Sequence, residues 1–150
     1  MNYVVRHHAV ARCPDIGDLE QIAAAEDHSF VTRTRQEWEA GINRFDQAGE
    51  TFFFVVEAGR TVGICGLNID PYIEDPSVGR LRHLYIHPSC RRAGIAAVLV
   101  ETCLSAAPGT FDRVRLRTSN PAADALYRCS GALPAQPEAV HLVRRGSRLA

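Results

Sequence analysis

The chain has 150 residues, 17 basic and 17 acidic, for a formal net charge of zero, with 46% hydrophobic and 23% charged residues. That length and composition suit one soluble globular domain (1–150) with a sizeable core. A neutral balance without a long basic run excludes the charge signature of a nucleic-acid binder, and no apolar run reaches membrane-spanning length. The Met1 end lacks a signal-peptide core, so the expected setting is the cytoplasm, away from any membrane.

In chain order, Tyr3–Val10 reads as a first edge strand, although its alternation is weak. Asp15 or Asp18 is placed to cap a helix carrying Leu19, Ile22 and Ala23 on one face. A second helix is expected from Thr34, with Trp38, Ile42 and Phe45 on its apolar face, ending by Gly49. Trp38 and Phe30 should pack on the sheet, with a place in the wall of an acceptor pocket as the alternative. Residues 51–57 and 61–69 are rich in strand formers, and Gly59-Arg60 between them suits a two-residue hairpin turn. Asp70–Ser77 is a loop with two prolines. A further strand is expected over Arg113–Thr118, then a helix from Asn120 with Pro121 at its first position, ending near Gly131. Ala139–Val143 is a final strand, which offers an exposed edge for a homodimer; Arg144, Arg145 and Arg148 follow as a solvated end.

Cysteines 13, 65, 90, 103 and 129 are odd in number and lack a C-x-x-C pair. They read as reduced thiols, with neither a disulfide framework nor a metal site. Of the five, Cys90 is the one most open to thiol reagents, although a passive loop residue is the better expectation for it.

The most informative stretch is Arg80–Val98. Leu81, Leu84, Tyr85 and Ile86 have the bias of a buried strand without strict alternation, and Pro88 closes it. Ile95, Val98, Leu99, Thr102, Cys103 and Ala106 then recur at helical spacing. Between them lies Arg91-Arg92-Ala93-Gly94-Ile95-Ala96. The first amides of a helix have no partner inside it and sit at the positive end of its dipole. Small Gly94 and Ala96 let an anion approach them, with Arg91 and Arg92 beside it, which is a diphosphate site in outline. The same residues would also make an ordinary strand-to-helix connection.

R-x-x-G-x-A at 91–96, preceded by Leu84-Tyr85-Ile86-His87-Pro88, resembles the acyl-CoA-binding motif of the GNAT acetyltransferases. Asn120-Pro121-Ala122-Ala123-Asp124-Ala125-Leu126-Tyr127, followed by Gly131, resembles the N-x-x-A-x-x-L-Y-x-x-x-G segment of that family. The resemblance covers most of the chain and implies an α/β fold, a mixed sheet flanked by helices in the order β-α-α-β-β-β-α-β-α-β, with acetyl-CoA as co-substrate. It further implies that the Leu84 amide faces the thioester carbonyl, and that Leu84, Tyr85 and Ile86 hold the pantetheine arm. By the same resemblance Arg91, Arg92, Ala93, Gly94, Ile95 and Ala96 hold the diphosphate, Asn120 touches the cofactor arm, and Tyr127 gives a proton to the CoA thiolate. Residues seven apart lie on one helix face, so Asn120 and Tyr127 can share a groove.

Two departures stand out. Many relatives carry an acidic general base where this chain has Arg80, and arginine cannot accept a proton in this range. The base candidates are His83, Asp70, Glu74, Asp75 or water, with His83 the catalytic candidate on the strand. The aromatic residue that often follows the glycine of the second motif is here Ala132. The leading reading is an N-acetyltransferase acting on a primary amine of a small molecule or a peptide N-terminus, without metal; the alternative is a non-catalytic acyl-CoA-binding sensor or interaction module. Nucleotide-binding loops of the G-x-x-x-x-G-K-[ST] kind are absent from the sequence. Arg80, Arg82, Arg115 and Arg117 suggest an acceptor that carries an anionic group beside its amine.

Overall fold

The computed structural model describes residues 3–7, 13, 15–91, 93–106, 110–117, 133–134 and 141–145. Its elements are β1 (Val4–His7), α1 (Gly17–Ala25), α2 (Phe30–Glu39), β2 (Thr51–Glu57), β3 (Arg60–Ile69), β4 (Val78–Ile86), a short 3-10 turn (Pro88–Cys90), α3 (Ile95–Ser105), β5 (Arg113–Arg117), β6 (Leu133–Pro134) and β7 (His141–Arg145). The helix expected from Asn120 to Gly131 lies outside the described residues, and so does Cys129.

The strands form one sheet in the order β1-β2-β3-β4-β5-β7-β6. Every described pairing is antiparallel except β4 with β5, whose parallel direction requires the crossover that α3 supplies. The expected mixed α/β architecture is the one observed. The β2–β3 turn is one residue earlier than its sequence suggests: Ala58 and Gly59 take the corner with φ of 49° and 78°, while Arg60 already pairs with Glu57. β7 is flanked by β5 and β6, so the last strand is internal and β6 holds that edge. Arg144 and Arg145 belong to β7 rather than to a tail beyond it.

The sheet separates two apolar cores. On one face Leu99, Val100 and Cys103 of α3 pack against Val55, Cys65, Leu67, Leu81 and Ile86. On the other face α1 and α2 bring Leu19, Ala23, Val31 and Trp38 onto Phe52, Ile64 and Tyr85. The second helix begins and ends earlier than its periodicity suggests. Ile42 falls beyond it and is 75% exposed, whereas Phe45 returns to the core through a positive φ of 52°. Its ring centroid then stands 5.9 Å from that of Trp38 and 5.1 Å from that of Phe52. Among the described residues no side chain bonds the N-cap position of α1, and Asp15 accepts from the Gly17 amide at 3.5 Å.

Gly66 is the close approach that this second core depends on. A Cβ there would stand 2.2 Å from Cε1 of the Phe45 ring, which is itself pinned by Trp38 and Phe52. Gly66→Ala should therefore destabilise the fold by about 1–3 kcal/mol, the usual cost of forcing one methyl into a packed core. Thermal unfolding checks this, and an unchanged melting temperature would show that Phe45 is free to move.

Candidate active site

The missing alternation in Leu81–Ile86 has a structural cause. Arg82 pairs with Gly66 and Tyr85 with Ile64, so His83 and Leu84 together oppose Cys65 alone. This is a β-bulge, and His83 takes the strained backbone with φ of 61°. The bulge puts His83 on the α2 side of the sheet directly after Arg82, and Leu84 against the α3 core. Among the described residues the β4–β5 ladder holds only three rungs, from Val78↔Arg113 to Arg80↔Arg115. Leu84, Tyr85 and Ile86 thus lie beyond it.

Beyond Ile86 the chain turns through Pro88–Cys90 and enters α3 at Gly94, a left-handed N-cap with φ of 77°. A side chain at Gly94 would meet no atom within 4 Å, and the first turn of α3 carries no acidic residue. The amides of Ile95, Ala96 and Ala97 have no acceptor inside the helix. An open, carboxylate-free helix start fits a diphosphate. Arg92, Asn120 and Tyr127 lie outside the described residues.

Arg91 does not stand free beside that helix start. Its guanidinium binds both oxygens of Glu26 at 3.0 and 2.7 Å, and its Nε donates to the Ile86 carbonyl at 3.1 Å. The Tyr85 hydroxyl donates to the same carboxylate at 2.5 Å, and the Arg91 guanidinium lies 5.4 Å from the Tyr85 ring centre. Glu26 is held down to about 2, first by the Arg91 hydrogen bonds and then by Tyr85. Tyr85 is pushed up to about 12 by burial and by Glu26. The trio ties the end of α1 to the loop and to β4. Glu26 sits 65 residues from Arg91, and nothing in its own sequence context points to that role.

His83 is buried among Phe30, Phe45 and Thr34. Its ring lies 6.2 Å from Phe30 in a stacked arrangement and 6.1 Å from Phe45 edge-on. The Thr34 hydroxyl gives its one proton to the Phe30 carbonyl at 2.9 Å. The 2.6 Å contact between Thr34 Oγ1 and His83 Nδ1 must then be donated by the imidazole, which fixes its neutral tautomer. Burial first, and then Arg82 and Arg33, push its pKa down to about 3. Such an imidazole is a poor proton acceptor at neutral pH. Phe30 belongs to this cluster, with His28 at 5.5 Å and Tyr85 at 6.0 Å, while Trp38 is wholly core.

Two of the other base candidates, Asp70 and Asp75, are committed to partners. The buried Asp70 carboxylate faces Arg115 at 3.2 Å and Arg80 at 3.7 Å, and its second oxygen accepts the Tyr72 amide. Asp75 accepts the amide and hydroxyl of Ser77, whose hydrogen bonds lower its pKa. Glu74 is exposed. Arg80 is buried under the Tyr72 ring at 4.7 Å, and burial lowers its pKa. Cys90, read from the sequence as the most open of the thiols, is buried and donates to Glu57 at 3.1 Å. Among the described residues no cluster of His, Cys, Asp and Glu is arranged to hold a metal ion, and no helix is long and apolar enough to cross a membrane.

The sequence model of the acetyltransferase (GNAT) family matches residues 14–132. No curated protein matches the sequence. Among solved structures, a proposed acetyltransferase from Exiguobacterium superposes with a TM-score of 0.85 at 21% identity, over 99% of this chain and 97% of that one. A GNAT-family acetyltransferase from Streptococcus pneumoniae gives 0.74 at 18% identity, covering 96% and 99%. The Escherichia coli GNAT-family N-acetyltransferase YhbS, solved with CoA, gives 0.67 at 15% identity, covering 95% and 81%.

The Glu26–Arg91 pair makes a prediction about pH. A carboxylate whose folded pKa lies below its ordinary 4.5 stabilises the fold above that value, and the contribution fades as pH falls toward about 2. The stability difference between wild type and Glu26→Gln should therefore be constant from pH 7 to about 5 and shrink below pH 4.5. Denaturant titrations at several pH values measure it, and a difference that grows on acidification would contradict the pairing.

Proposed function

Because the chain belongs to the acetyltransferase (GNAT) family, whose activity is acyl transfer from acyl-CoA, we propose that it moves the acetyl group of acetyl-CoA onto a primary amine by direct attack in a ternary complex. The observation that carries this reading is the bulge at His83–Leu84 next to the open start of α3. In this reading the Leu84–Ile86 backbone, beyond the last described β4–β5 rung, holds an extended pantetheine arm by strand-like hydrogen bonds. The Leu84 amide then polarises the thioester carbonyl, and the amides opening α3 take the diphosphate. A structural relative solved with CoA supports the same ligand class. Asn120 and Tyr127 contribute a contact to the cofactor arm and the proton for the departing thiolate; these two roles rest on the sequence match.

His83 is assigned to positioning rather than to catalysis. Its hydrogen bond to Thr34 and its aromatic neighbours hold the bulge. With Asp70 tied to two arginines and Arg80 in the usual acidic place, the acceptor enters already neutral and its proton leaves to water. The rise of kcat/KM with pH should then follow the pKa of whichever amine is used, shifting upward with more basic acceptors. A limb fixed at one pH across acceptors of different basicity would reveal an enzymic base instead. Arg80 also keeps the non-catalytic module in play, and binding of acetyl-CoA without turnover on a broad amine panel would select it.

The cofactor site is tested by calorimetric titration of acetyl-CoA. Gly94→Glu should abolish micromolar binding by putting a carboxylate where the diphosphate sits, whereas Gly94→Ala, with the same backbone strain but no charge, should weaken it by no more than about tenfold. No binding by folded wild type would remove both acyl-CoA readings.

A further inference from the structure

Next to the bulge lies a cleft of about 400 Å³, walled by Glu37, Arg44, Glu50, Asn68, Tyr72 and Arg82. Arg82 is two residues before Leu84 in the chain, so the cleft adjoins the segment assigned to the thioester. Its far wall is cross-linked: Asn43 and Asn68 exchange hydrogen bonds at 3.0 and 2.8 Å, and Glu50 accepts from Asn68 and from the Ile69 amide at 3.0 and 2.8 Å. Of the arginines around it, Arg80 and Arg115 share Asp70, and Arg44 is tied to the Trp38 carbonyl through its Nε at 3.0 Å. Arg82 alone among these four has no hydrogen bond or ion pair with any described residue. Asp70 is one carboxylate against the two guanidiniums of Arg80 and Arg115, and the Glu37, Asp46 and Glu50 carboxylates that line the cleft make no ion pair with Arg82, so its guanidinium is open to a ligand.

We infer that Arg82 is the acceptor's anchor, and that the acceptor is a small amine bearing a carboxylate, of amino-acid or short-peptide size. This rests on the acetyl-transfer reading and names the acceptor class for that same site. A guanidinium held half-buried in a polar cleft binds a carboxylate by paired charge-assisted hydrogen bonds. The Glu37 and Glu50 carboxylates in the same wall disfavour a polyanion such as a polyphosphate. The volume is at the small end of ligand pockets. The anionic end therefore belongs to Arg82 and not to Arg80, which is buried on its own counter-ion.

The test is direct binding to the protein saturated with CoA, using a panel of N-acetyl-L-amino acids against their C-terminal amides, which keep every group except the carboxylate charge. At least one acid should bind tenfold or more tightly than its amide; Arg82→Gln should bring the pair within twofold, and Arg82→Lys should restore part of the difference. Equal affinity of every acid and its amide in wild type, or binding by neither member of any pair, overturns the inference whether or not the variants fold. A preference that survives intact in folded Arg82→Gln overturns it too. Acetyl-CoA binding and CoA release on an amine panel are read on the same preparation. A protein that acetylates amines without regard to a carboxylate loses only this inference, and one that does not bind acetyl-CoA loses the transferase reading with it.

Discussion

The bulge in β4 is the constraint on which the site depends. A regular strand in this position would carry His83 to the α3 face and extend its ladder with β5. One extra residue against Cys65 instead keeps Arg82 and His83 on the same side, and the described β4–β5 rungs end at Arg80. The cost is a histidine at φ of 61°, of order 1–3 kcal/mol for a non-glycine residue in the left-handed region. Such strain persists only where the surroundings over-determine it. Here Thr34, Phe30 and Phe45 do so, each from α2 or the segment after it. The α1–α2 layer is thus more than a cover for the sheet. It sets the backbone on which acyl transfer is proposed to occur.

The same layer reaches the loop proposed to hold the diphosphate through one carboxylate. Glu26, just past the end of α1, holds Arg91 and Tyr85 together, and Arg91 in turn holds the Ile86 carbonyl. Exposed ion pairs contribute little to stability, so the value of this one lies in geometry: it fixes where the chain leaves β4 relative to where α3 begins. Neutralised by Glu26, Arg91 adds little net charge at the helix start. In the proposed site, the attraction for the diphosphate then comes from the α3 amides and from the absence of any acid in the first turn. A glycine N-cap suits that arrangement, since a serine or aspartate cap would occupy the same amides.

Much of this was legible in the sequence because it depends on local patterns. The strand formers of 51–57 and 61–69, the helical spacing from Ile95, and the glycine ahead of α3 each act over a few residues. The broken alternation of Leu81–Ile86 was itself a sign of the bulge, although period alone could not say which residue is extra. What stayed hidden depends on contacts between distant segments. Nothing around Glu26 announces Arg91, and nothing around Asp70 announces Arg115, 45 residues later. Phe45 extends a helical pattern by spacing yet lies beyond α2, because the Gly66 gap offers its ring a better place than continued helix does. The Ala58-Gly59 turn was misread by one residue for a related reason: the hairpin register, fixed by pairs along the whole ladder, outweighed the preference for glycine at the first corner position.

Arg80 shows why a single departure from a motif cannot be read alone. A buried guanidinium is costly unless paired, and removing an acid from this position while adding an arginine changes the local charge by two. Asp70 answers it at 3.7 Å, but Arg115 on β5 lies nearer to the same carboxylate, at 3.2 Å. The carboxylate also accepts the Tyr72 amide, which brings Tyr72 over the Arg80 guanidinium and makes it the lip of the cleft. Satisfying Arg80 thus takes up Asp70 and shapes the wall in which Arg82 stands, while Glu37, Asp46 and Glu50 line the same cleft without pairing with Arg82. Arg80 on its shared carboxylate and Arg82, without a partner among the described residues, thus belong to one charge arrangement.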